Sequence, residues 1–94
     1  MPLNKKNLIY HELIGLKIEV LSHSDPTLRG RSGSIVDETM YTLKILDEKS
    51  GKIITVPKLY GIFKFELNPR NHVIVDGTLI SARPEDRLKK MLRK

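Results

Sequence analysis

The sequence predicts a mainly β fold: a small antiparallel β-barrel of about six strands with short N- and C-terminal helices. Three observations predict it. Apolar residues alternate with a period of two through most of residues 16–76. Turn-forming residues interrupt that alternation about every 8–12 positions. The chain has 94 residues, 39% of them apolar and none Trp, so it can fill one small core only. A curled sheet hides its edges without further elements to cover them.

Asn4 is a candidate N-cap and Gly15 a candidate stop for a helix over Lys5 to Leu13, with Leu8, Ile9, Leu13 and Leu16 at helical spacing. From Leu16 the period becomes two, and Leu16, Ile18 and Val20 define a half-buried strand. Ser22-His23-Ser24-Asp25-Pro26 is turn chemistry, and Gly30 and Gly33 mark a tight bend or bulge before the next strand. Ser34–Glu38, Thr42–Leu46 and Lys52–Val56 read as successive strands, the last stopped by Pro57. After the brief connection Lys58-Leu59-Tyr60-Gly61, Phe63, Phe65 and Leu67 share one face of a strand and Lys64 and Glu66 the other. His72–Asp76 is a sixth strand, and Thr78 to Ser81 a last stub. Pro84 opens a final helix, with Glu85 and Asp86 suited to its N-terminus. The chain is thus one domain: an N-terminal helical segment over 1–15, the barrel over 16–82 and a basic C-terminal helix over 83–94. The expected core is Ile18, Val20, Ile35, Leu43, Ile45, Ile54, Val56, Phe63, Phe65, Val73 and Val75.

The net charge of +6 is concentrated at the ends. Residues 83–94 carry six cations against two anions and residues 1–17 three against one, while residues 18–82 balance at eight against eight. A polyanion is the natural partner for such ends. No apolar run approaches a membrane span, and the stretch MPLNKKNLIYHELIG is too polar for a secretory signal. Without cysteine there is no disulfide framework or thiolate metal site. A cytoplasmic location is the expectation.

Catalytic signals are weak. His11, His23 and His72 are scattered with no metal-ligand spacing. The neighbours Asp37-Glu38 and Asp47-Glu48 point to opposite faces if they lie in strands, so neither pair easily shares a metal or a proton. The serines have no general base at a recognisable spacing, and the Gly30/Gly33 loop lacks the Lys-Ser/Thr ending of a P-loop. No catalytic or metal-binding residue is expected. Arg29 and Arg31 on a loop, and Arg83 and Arg87 opening the basic end, suit RNA phosphate better. Aromatics are 5% of the chain and Phe63 and Phe65 alternate as core, so recognition by shape and backbone is expected. A ribosomal or translation-associated RNA-binding barrel fits the same features.

One series of residues is more specific. His11-Glu12-Leu13-Ile14-Gly15-Leu16-Lys17-Ile18-Glu19-Val20 is followed by Ser24-Asp25-Pro26, Gly30, Gly33 and Val36-Asp37-Glu38-Thr39. Val56-Pro57-Lys58, Phe63, Phe65, Leu67, Val75-Asp76-Gly77 and Arg83-Pro84-Glu85-Asp86-Arg87 continue in order. This series resembles the archaeal ribonuclease P protein component 1 family, from about Leu8 to about Lys90. Met40-Tyr41-Thr42-Leu43 stands where that family usually has a more polar turn. The resemblance implies an Sm-like barrel that is a non-catalytic subunit of ribonuclease P, the ribonucleoprotein that removes the 5′ leader of precursor tRNA. It implies that the RNA subunit carries out the hydrolysis with Mg²⁺, and that this chain itself holds no cofactor. It implies ribonuclease P RNA and a zinc-ribbon protein subunit as partners, precursor tRNA as an indirect one, and a monomer in isolation. Carried onto this chain, the expected RNA contacts are Arg29, Arg31, Lys58, Arg83, Arg87, Lys89 and Lys90, and the expected protein interface is Leu8, Ile9 and Leu13, a stripe that on composition alone either plugs one open end of the barrel, the favoured reading there, or meets a partner.

Overall fold

The computed structural model describes residues 13–81. Six strands form in the expected order: β1 (Lys17–His23), β2 (Ser32–Glu38), β3 (Thr42–Asp47), β4 (Ile53–Pro57), β5 (Gly61–Asn68) and β6 (Asn71–Asp76). All neighbours are antiparallel, in the sheet order β4-β3-β2-β1-β5-β6. The expected strand stub after β6 is instead a 3-10 turn, Gly77–Ile80. Asp76 caps it by accepting the Thr78 backbone N–H, a local bond that competes with extended structure. The expected helices over Lys5–Leu13 and 83–94 fall outside the described residues, apart from Leu13 itself, which is not helical.

The expected closed barrel needs one correction. β4 and β6 are the two edges of a single sheet, and no ladder joins them among the described residues. The sheet nevertheless curls. Gly77, just after β6, packs so tightly on the β4–β5 connection that an added Cβ would fall 1.5 Å from the Lys58 carbonyl oxygen. Hydrogen-bond closure fails because β4 is only five residues long and ends at Pro57, which has no N–H to donate.

The concave face holds the core. Ile18, Val20, Ile35, Leu43, Ile45, Val56, Phe63, Phe65 and Val75 are buried as alternation requires, joined by Leu13 and Ile80. Ile54 and Val73, also expected there, are only partly buried against it. Cross-strand registers explain the match: Val20 faces Phe63, which faces Val75, and Phe65 lies between Ile18 and Val73. Burying each such side chain stabilises the fold by about 1.5–3 kcal/mol.

Bulges interrupt three ladders, at Val20/Ser22, Ile35/Asp37 and Glu66/Asn68. The second has a large consequence. With period-two alternation unbroken, Asp37 would follow Gly33 and Ile35 inward. The extra residue Val36 reverses the parity, so Asp37 pairs with Lys44 on the outer face and Glu38 pairs with Leu43 on the inner one. Of the two glycines expected to bend the chain, Gly30 does so at φ 84°, whereas Gly33 keeps an ordinary backbone and sits in β2.

Candidate nucleic-acid interface

The loop between β1 and β2 is assembled largely from bonds among its own residues. The Asp25 carboxylate accepts the Thr27 backbone N–H at 3.0 Å and the Thr27 hydroxyl at 2.7 Å, an Asx-type turn. Those two bonds, the hydroxyl first, hold the Asp25 carboxyl below the usual carboxylate range. His23 anchors the base of the loop. Its Nδ1 accepts the Asp25 N–H at 3.0 Å, which places the ring proton on Nε2, 2.9 Å from the Pro57 carbonyl. The ring leans on Phe63, with centroids 6.4 Å apart. The loop returns through Gly30, whose N–H bonds the Val20 carbonyl at 2.8 Å.

Arg29 stands exposed near the tip of this loop, and its guanidinium makes no hydrogen bond or ion pair among the described residues. Arg31 is only partly available. Its Nη1 donates to Asp47 Oδ2 at 3.1 Å and its Nε to the Thr27 carbonyl at 3.3 Å. Asp47 is buried, and Oδ2 also accepts the Ser50 hydroxyl at 2.8 Å and the Ser50 N–H at 3.1 Å. The Ser50 hydroxyl is the largest cause of a carboxyl held below its usual range, with the Arg31 guanidinium contributing less.

Lys58 overturns one expectation. Its side chain is fully enclosed, and Nζ donates to Glu38 Oε2 at 2.6 Å. It therefore presents no charge to RNA and belongs to the core beneath the β4–β5 connection. Leu13 overturns another: at 0% exposure it lies in the core, with no surface left for a protein partner. Leu8 and Ile9, like Arg83, Arg87, Lys89 and Lys90, lie outside the described residues.

Two aromatic residues escaped the sequence reading. Tyr60, in the β4–β5 connection, is 77% exposed, and Tyr41, in the β2–β3 turn, is 59% exposed. The signal was present: both interrupt the alternating pattern, whereas Phe63 and Phe65 continue it.

The convex face is a poor polyanion site. A groove of about 240 Å³ there is lined by Lys17, Glu19, Lys64, Glu66, Glu48 and His72, among others. Lys17 faces Glu66 and Glu19 faces Lys64 across β1 and β5, so opposite charges alternate. Apart from Lys17, the exposed cations outside ion pairs among the described residues thus lie in loops and turns, Arg29 between β1 and β2, Lys49 and Lys52 around the β3–β4 turn and Arg70 between β5 and β6, rather than on the sheet face. No helix among the described residues is long and apolar enough to cross a membrane.

The chain matches the family model described as ribonuclease P/MRP, subunit p29, over residues 6–90. It belongs to that family. The p29 relatives extend over nearly its whole length. A ribonuclease P protein component 1 from Staphylothermus marinus is 43% identical over 89 residues, covering 95% of this chain and 96% of the relative. That of Desulfurococcus amylolyticus is 41% identical over 93 residues, covering 99% and 100%. A solved structure described as Mth11, a homologue of the human RNase P protein Rpp29, is 42% identical, with a TM-score of 0.58 over 82% of this chain and 97% of its own. The p29 assignment agrees with the resemblance read from the ordered motifs.

Proposed function

We propose that this p29 chain is an RNA-binding protein subunit of ribonuclease P that supports the catalytic RNA and leaves bond breaking to it. The observation that carries this reading is the match to the p29 family over residues 6–90. The site geometry agrees with it. The body is nearly neutral, with nine Lys and Arg against eight Asp and Glu over residues 13–81, and Arg29 projects from a pre-formed loop. Two of the buried carboxylates are held in structural pairs, Asp47 with Arg31 and Glu38 with Lys58. RNA contact falls to Arg29, to the exposed part of Arg31, and to Arg83, Arg87, Lys89 and Lys90. Leu8 and Ile9 are assigned to contact with a zinc-ribbon protein subunit, and Mg²⁺ belongs to the RNA.

Reconstitution tests the proposal. The chain is added, with its zinc-ribbon partner, to a ribonuclease P RNA, and precursor-tRNA cleavage is followed at low Mg²⁺. Faster cleavage than with RNA alone is expected, together with no cleavage by the chain alone. Cleavage by the lone polypeptide, or no effect on the RNA, would refute the proposal.

A further inference from the structure

We propose that Tyr60 and Tyr41 form a two-ring platform at the rim of the sheet, on which unpaired bases of single-stranded RNA stack. Tyr60 sits at φ 68°, alone among the described non-glycine residues in having a positive φ. That conformation is strained for a bulky side chain, and glycine would hold it freely. Packing does little to offset the strain, because the residue is 77% exposed. Strain and exposure at one aromatic residue are the marks of a binding position rather than of a structural one.

The surroundings define the occupant. The Tyr60 carbonyl accepts the Ser24 N–H at 3.1 Å, which ties it to the loop that carries Arg29. The Lys58 N–H bonds the Tyr41 carbonyl at 2.8 Å, which brings Tyr41 to the same rim. Among the described residues the one aromatic ring pair is His23 with Phe63, and Tyr60 and Tyr41 are both largely exposed. Exposed rings tied to the loop that carries an unpaired guanidinium match the two halves of a nucleotide: a flat base to stack and a phosphate to hold. Duplex RNA, whose bases are already stacked on each other, offers no such face.

The inference rests on the RNA-binding role proposed above. Its test uses the full chain and two fluorescent RNA probes of roughly twelve nucleotides, one unstructured single strand and one duplex, in anisotropy titrations at one salt concentration. Tyr60→Ala is expected to weaken single-strand binding by about five- to one-hundred-fold and to leave duplex binding unchanged. Tyr41→Ala moves the same way, and Tyr60→Phe keeps the wild-type affinity. Tyr60→Gly, which removes ring and strain together, keeps the melting temperature and shows the same loss of binding. Unchanged single-strand affinity in Tyr60→Ala, equal losses on both probes, or a loss confined to binding of a protein subunit would overturn the platform. If the wild-type chain assists ribonuclease P RNA while Tyr60→Ala binds the single strand normally, the platform falls and the subunit role stands. If the wild-type chain gives that RNA no assistance, the subunit role falls, whatever the tyrosine variants do.

Discussion

The β1–β2 loop and the β4–β5 connection lie together at one rim, and both were expected to present cations to RNA. Only the first leaves a cation exposed. In the loop, Asp25, Thr27 and Gly30 set the backbone through bonds to near neighbours, and Arg29 is left outside. In the connection, Lys58 turns inward to Glu38, twenty residues earlier, and leaves Tyr60 outside in a strained conformation. A cation in a locally built turn stays where its sequence puts it. A cation beside a strand end goes wherever the opposite strand has left a carboxylate.

The largest test of that contrast is Glu38→Ala. It leaves the buried Lys58 ammonium without its carboxylate and should destabilise the fold by about 3–5 kcal/mol, read as a lower urea midpoint at unchanged m-value. The double variant Glu38→Leu/Lys58→Met should recover most of that loss, since a buried pair replaced by apolar groups is often neutral. A mild Glu38→Ala would mean that the pair contributes little and that Lys58 can reach solvent. Next comes Gly77→Ala, which drives a methyl into the Lys58 carbonyl and should cost about 1–3 kcal/mol by the same measurement.

A pH titration sharpens the other side of the comparison. The Asp47 carboxyl is held below its ordinary value of 3.8, first by the Ser50 hydroxyl. A depressed folded pKa means that the unfolded chain takes up the proton first as pH falls. The stability from Asp47 is therefore complete above about pH 4 and is lost as pH falls through the folded value. Ser50→Ala should lower the urea midpoint at neutral pH, and the difference from wild type should shrink once both are acidified below that value. The smallest structural effect belongs to Arg29→Ala. It should leave stability within about 0.5 kcal/mol, yet reduce the log–log salt slope of RNA binding by about 1. A drop in melting temperature would show that Arg29 has a structural partner after all.

The strands were legible because period-two alternation records burial directly, and Phe63, Phe65, Val20 and Val75 lie where that rule puts them. The Arg29 loop was legible for a related reason, since Asx-turn chemistry is set within a few residues. Lys58 and the two tyrosines were not. Their exposure depends on how far the sheet curls and on which way bulged residues face.

Sequence by itself determined six antiparallel strands, a single core and basic ends, because each is a property of neighbouring residues or of summed charge. Only the tertiary structure decided that Glu38 faces inward, and the reason is one extra residue at Val36. That bulge inverts the strand's parity, gives Lys58 a carboxylate to meet in the interior, and moves the rim's exposed chemistry from an ammonium to an aromatic ring.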